Sequence, residues 1–102
     1  MKIYYVSHPF TGNEKKNRKD ARRITAMLKK AHPQYIFINP LDAMRYTTGL
    51  PYEDSLEQCL ELLAICDGII MTGKWKDSEG CTRECVSAAL AGKKITELGD
   101  WI

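Results

Sequence analysis

The sequence predicts a three-layer α/β domain built on a four-stranded parallel sheet. Three observations predict it. Short β-branched and aromatic runs alternate with amphipathic stretches in the order β-α-β-α-β-α-β. The first run, Ile3-Tyr4-Tyr5-Val6-Ser7, has no apolar/polar alternation, as expected of a strand buried on both faces. The connections between runs are long enough to be helical crossovers, which makes the strands parallel and the connections right-handed. A chain of 102 residues holds one such core, so residues 1–102 are read as one domain.

Residues 3–7 form the first strand, and the loop over 7–16 carries Pro9 and Gly12. Ala21, Ile24, Leu28 and Ala31 recur at spacings of three and four, so residues 17–31 form an amphipathic helix that Pro33 ends. Residues 35–38 form the second strand, closed by Asn39-Pro40. The connection over 41–52 carries Gly49 and Pro51, and its length makes it a candidate lid.

Leu56, Leu60 and Leu63 mark one face of a second helix over 54–66. Residues 68–72 form the third strand, and a polar loop spans 73–80. A helix rich in small residues follows over 81–91, with Gly92 as its stop, and 95–98 is the last strand. The expected strand order is 2-1-3-4, flavodoxin-like. Ligands of such sheets bind at the carboxyl ends of the strands where the order reverses, between the loops at 7–16 and 73–80.

Composition narrows the function classes. Hydrophobic residues at 44% and charged residues at 27% describe a globular chain. A net charge of +2 supplies no global field toward nucleic acid or an anionic membrane. The most apolar stretch, 60–71, is interrupted by Glu61 and Asp67 and falls short of a membrane span. The expectation is a soluble cytoplasmic protein. Cys59, Cys66, Cys81 and Cys85 contain no C-x-x-C pair and lie far from His8 and His32, so free thiols are expected and no metal. The basic cluster from Lys15 to Lys30, which includes Lys16 and Arg18, reads as the solvated face of the first helix. Arg18 and Lys16 lie nearest the ligand loop and are candidates to attract phosphate. No nucleic-acid motif accompanies the cluster, so nucleic acid is not expected as a partner.

The chemistry concentrates after the third strand. Ser78 is a good helix N-cap, and Gly80 lets a ligand approach the amides at the helix start, Cys81 among them. Glu84 lies about one turn further in. A carboxylate held charged beside a sugar-binding cleft is what attack on an anomeric carbon requires. The same spacing also suits a capped helix with an acidic first turn. Trp75 and Phe10 are able either to stack on a base or to shield their loops.

Ser78-x-Gly80-x-x-x-Glu84, preceded by Cys66-Asp67-Gly68-Ile69-Ile70 and Gly73-x-Trp75, resembles the signature of the nucleoside 2-deoxyribosyltransferase superfamily, closest to its short bacterial and phage members. The opening Ile3-Tyr4-Tyr5-Val6-Ser7-His8-Pro9-Phe10 is similar to that family's first strand and ligand loop. The resemblance implies that Glu84 is the nucleophile that cleaves an N-glycosidic bond through a glycosyl-enzyme ester, and that the Tyr4 hydroxyl orients it. It implies substrate contacts at Ser7, His8, Pro9, Phe10, Trp75, Asp77, Ser78, Gly80 and Cys81. Serine at position 78 matches relatives that hydrolyse deoxynucleoside 5′-monophosphates, where hydroxyl and amides donate to phosphate and aspartate repels it.

The resemblance breaks at Cys59. The family places there, eight residues before the aspartate that opens the third strand, a carboxylic acid that helps protonate the leaving base. A thiol is a poor general acid, and among Leu56, Leu60 and Leu63 it also reads as core. Asp54 and Glu57, from a neighbouring turn, are the alternative acids, but neither shares the helical face of Cys59 well. Two functions therefore stand. One is a cofactor-free N-glycosidase or deoxyribosyltransferase acting on a nucleotide or nucleoside; the other is a protein that captures a nucleotide-like ligand without turnover. Self-association as a dimer or higher oligomer is expected in either case, with Leu62, Val86 and Leu90 as interface candidates.

Overall fold

The computed structural model describes residues 1–45 and 49–102. Strand β1 (Ile3–Ser7) pairs on one side with β2 (Ile36–Ile38) and on the other with β3 (Gly68–Met71), which pairs in turn with β4 (Lys94–Glu97). All pairings are parallel, and the order is β2-β1-β3-β4. The expected flavodoxin-like α/β architecture is thus the observed one.

Alternation along the central strands assigns each side chain to a layer. Tyr4 and Val6 of β1 and Ile70 of β3 face helix α1 (Glu14–Ala31) and pack with its Ile24 and Leu28. Tyr5 of β1 with Ile69 and Met71 of β3 faces the opposite layer. That layer is formed by α3 (Tyr52–Ala64) and α4 (Glu79–Leu90), through Leu63, Cys81 and Ala88. Burying side chains of this size contributes roughly 1.5–3 kcal/mol each. Gly68 is required by close approach: a Cβ there would lie 2.9 Å from the Lys94 carbonyl and 3.0 Å from the Tyr4 ring.

Several boundaries differ from expectation for local reasons. Helix α1 starts at Glu14, because Asn13 accepts the Lys16 amide as N-cap; Asn17 lies inside the helix and donates to the Phe10 carbonyl at 2.9 Å. Asn39 accepts the Leu41 amide at 3.1 Å, and Pro40 follows at the first helical position, so part of the expected loop is a short helix, α2 (Pro40–Ala43). Helix α3 starts at Tyr52, after Pro51. A 3-10 turn (Trp75–Asp77) lies within the loop after β3. Of the 41–52 connection expected as a lid, residues 46–48 lie outside the described residues.

Leu62, expected outside the monomer core, is half-buried. It packs at the margin of the core cluster to which Leu63 of α3 belongs. Val86 and Leu90 stay exposed. All four cysteines are free, with Cys66 and Cys81 buried. No helix among the described residues is long and apolar enough to cross a membrane.

Candidate functional site

The loops after β1 and β3 lie side by side, since Ser7 is in register with Met71 and the Thr72 amide donates to the Ser7 carbonyl at 2.9 Å. Above them opens a cavity of about 270 Å³ whose walls come from the β1 loop, α1, α2, α3 and the start of α4. The walls meet at the carboxyl ends of the central strands, where strand order reverses.

Glu84 forms part of the cavity wall from the second turn of α4 and is only 7% exposed. Its carboxylate is gripped by two hydroxyls of β1. Tyr5 donates to Oε2, and Ser7 donates to Oε1 at 2.8 Å. Burial raises the Glu84 pKa, while these two hydrogen bonds favour the ionised form and oppose the shift. The Tyr5 phenol is itself pushed up, first by burial and then by the Glu84 charge. A buried carboxyl fixed by two donors and open on its cavity side has the geometry to accept a hydrogen bond from a ligand or to attack one.

Tyr4 does not hold Glu84. Its neighbour Tyr5 does, because consecutive residues of a strand point to opposite faces. Tyr4 lies against Trp101 at 4.7 Å between ring centroids and against Tyr35 at 5.4 Å, in the α1 layer. Ser7, two residues further along β1, shares the side of Tyr5 and meets the same carboxylate.

Ser78 caps α4 by accepting the Cys81 amide at 3.3 Å, and Ser78, Gly80 and Cys81 all line the cavity. Burial raises the Cys81 thiol pKa, against hydrogen bonds with Ser7 and Ser78. His8 and Phe10 line the opposite wall. The Thr72 hydroxyl donates to the Ser7 carbonyl at 2.8 Å, so toward His8 Nδ1, also at 2.8 Å, it serves as acceptor. His8 therefore carries its hydrogen on Nδ1, and Nε2 is the unprotonated nitrogen of the neutral ring. Burial lowers its pKa, helped by Lys16 and Arg23 and opposed by Asp20. Gly73, at φ +62°, makes room for this ring, since a Cβ would lie 2.9 Å from His8 Cε1.

Not every expected residue joins the cavity. Pro9 and Asp77 line an adjoining depression with Tyr52, Ser78 and Gly80. Trp75 turns away to β4, where its indole N–H donates to Glu97 at 2.9 Å, and so belongs to the sheet's edge. Lys16 is paired with Asp20 at 2.8 Å. Arg18 does line the cavity.

Cys59 lines the cavity near Glu84 and Tyr5. Its thiol pKa is raised by burial and by the Glu84 charge, against its contact with the Tyr5 hydroxyl, so it stays neutral. Asp54 and Glu57 are exposed and outside the lining. Sequence reasoning missed Tyr5, Thr72 and the apolar contributions of Pro40, Leu41 and Met44. Pro40 and Leu41 belong to α2 and Met44 is its C-cap, so the Asn-Pro start of that helix was the available signal.

The profile of a family described as a domain of unknown function (DUF4406) matches residues 1–97. Comparison with curated proteins gives no match.

Proposed function

The chain belongs to the DUF4406 domain family, and we propose that it binds a nucleotide or nucleoside and cleaves or transfers at its N-glycosidic bond, with Glu84 attacking C1′. One observation carries the reading: a buried carboxylate, held by Tyr5 and Ser7, opens onto a strand-end cavity large enough for part of a nucleoside. Its likeness to the nucleoside 2-deoxyribosyltransferase signature supports the same chemistry. Attack by Glu84 displaces the base and leaves a glycosyl ester; water or a second base then attacks C1′ and frees the carboxylate. Tyr5 and Ser7 position the nucleophile. Ser78 and the amides at the start of α4 hold a ribose hydroxyl or a 5′-phosphate. The free thiols suit a reducing compartment such as the cytoplasm, and self-association is proposed through the exposed Val86 and Leu90.

The test is chromatographic measurement of base release from deoxynucleosides and deoxynucleoside 5′-monophosphates. Wild type releases base, and Glu84→Gln loses several orders of magnitude while staying folded. A neutral thiol at Cys59 favours a second reading, capture of the ligand without turnover. Tight binding of these compounds by wild type with no base released would establish that reading instead.

A further inference from the structure

The cavity holds one carboxylate and one permanent cation among its described lining residues, and they come from opposite layers: Glu84 on α4 and Arg18 on α1. The Arg18 guanidinium carbon lies 5.0 Å from the centre of the Phe10 ring, and its Nε donates to the Leu41 carbonyl at 3.4 Å. Among the described residues no carboxylate lies within ion-pair distance of it. The neighbouring cations differ: Lys16 pairs with Asp20, and Arg22 with Asp42 at 2.8 Å. With one face on an aromatic ring and Nε engaged, Arg18 has no hydrogen-bond partner for its two Nη groups among the described residues, which leaves that edge to a ligand.

Resting on the glycosidic reading, we propose that Arg18 is the leaving-group residue: its Nη edge donates to the carbonyl of an oxo-base and stabilises that base as it departs as an anion. The balance of the step requires such a group. When Glu84 Oε bonds to C1′, the C1′–N bond breaks and its electron pair passes to the base nitrogen. A carboxylic acid would cancel that charge by giving a proton, but Glu84 is consumed as nucleophile and the Cys59 thiol stays neutral. A fixed guanidinium offsets the charge without proton transfer, and water then protonates the base. The substrate class follows. Bases that spread negative charge onto a ring carbonyl, such as uracil, suit Arg18, whereas adenine leaves best after ring protonation, for which the described lining residues offer no carboxylic acid besides Glu84.

The experiment compares wild type, Arg18→Lys and Arg18→Met on 2′-deoxyuridine, 5-fluoro-2′-deoxyuridine and 2′-deoxyuridine 5′-monophosphate. Arg18→Met is expected to slow release of uracil by on the order of 10²–10³-fold, the loss seen when one anion-stabilising donor is removed. The loss should be smaller for the more acidic fluorinated base and the same with and without phosphate. Arg18→Lys keeps the charge without the planar fork and falls between. Equal losses for both bases, or a loss confined to the monophosphate, would overturn the proposal. Calorimetry in a Glu84→Gln background reads the contact without turnover: Arg18→Met must weaken nucleoside and monophosphate binding by the same factor, and unchanged nucleoside affinity overturns it. Loss of activity in Glu84→Gln with no effect at Arg18 would retain the glycosidic reading and remove this one.

Discussion

The phenolic hydroxyl of Tyr5 on β1 donates to Glu84 Oε2 on α4, joining groups 79 residues apart in sequence. Tyr5→Phe leaves a buried carboxylate short of a donor. It is expected to cost about 1–3 kcal/mol of stability at pH 8 and to raise the Glu84 pKa further. Tyr4→Phe, in the other layer, leaves the Glu84 titration where it is. Urea unfolding and carbon NMR titration of the Glu84 carboxyl check both; an equal titration shift in the two variants contradicts the assignment.

The sheet order was legible because continuous apolar runs joined by helical crossovers admit few arrangements. The position of Glu84 was legible from its distance to the Ser78 cap. Three features were harder to read. Choosing between adjacent tyrosines needs the parity of β1 relative to the ligand face, which a run apolar on both sides does not display. Trp75 precedes the Ser78 cap by only three residues, but the 3-10 turn (Trp75–Asp77) redirects it to Glu97. Leu62 needed the angular setting of α3 on the sheet.

Burial raises the Glu84 pKa, so its protonated form is favoured in the fold more than in the unfolded chain. That contribution is complete below the ordinary glutamate range and is lost as pH rises through the raised folded value. Glu84→Gln does not titrate there. Its melting temperature is therefore expected to exceed that of wild type most at pH 8, by about 4–8 °C per kcal/mol, with the gap narrowing toward pH 4. Calorimetric melts across this range check it, and a gap that widens on acidification contradicts the burial argument. Base release has the opposite dependence, rising with pH as Glu84 ionises.

Ser78 caps α4 through its hydroxyl oxygen, a role a carboxylate also fills, so Ser78→Asp preserves the fold. The added charge is expected to weaken binding of a deoxynucleoside 5′-monophosphate by about tenfold or more beyond its effect on the nucleoside. Calorimetry on the pair measures this. Equal losses would move the phosphate away from the start of α4.

Leu90 is 85% exposed and Val86 is 53% exposed, four residues apart on α4. Leu90→Glu is expected to shift a wild-type dimer to monomer without altering melting of the monomer, since the side chain has no core contacts to lose. A twofold interface would meet the new charge twice. Light scattering over a dilution series decides. A wild type that is monomeric at tens of micromolar removes self-association through this face.

The most direct test of Glu84 as nucleophile is capture of the glycosyl ester. A 2′-fluoro-2′-deoxyarabinosyl nucleoside carries an electron-withdrawing fluorine beside C1′, which slows breakdown of an ester with oxocarbenium-like transition states. Intact-mass spectrometry of wild type is predicted to show a gain of one fluorinated sugar, which peptide mapping places on Glu84. Glu84→Gln is predicted to show none. Base release by wild type without any adduct, together with undiminished turnover by Glu84→Gln, would contradict the account.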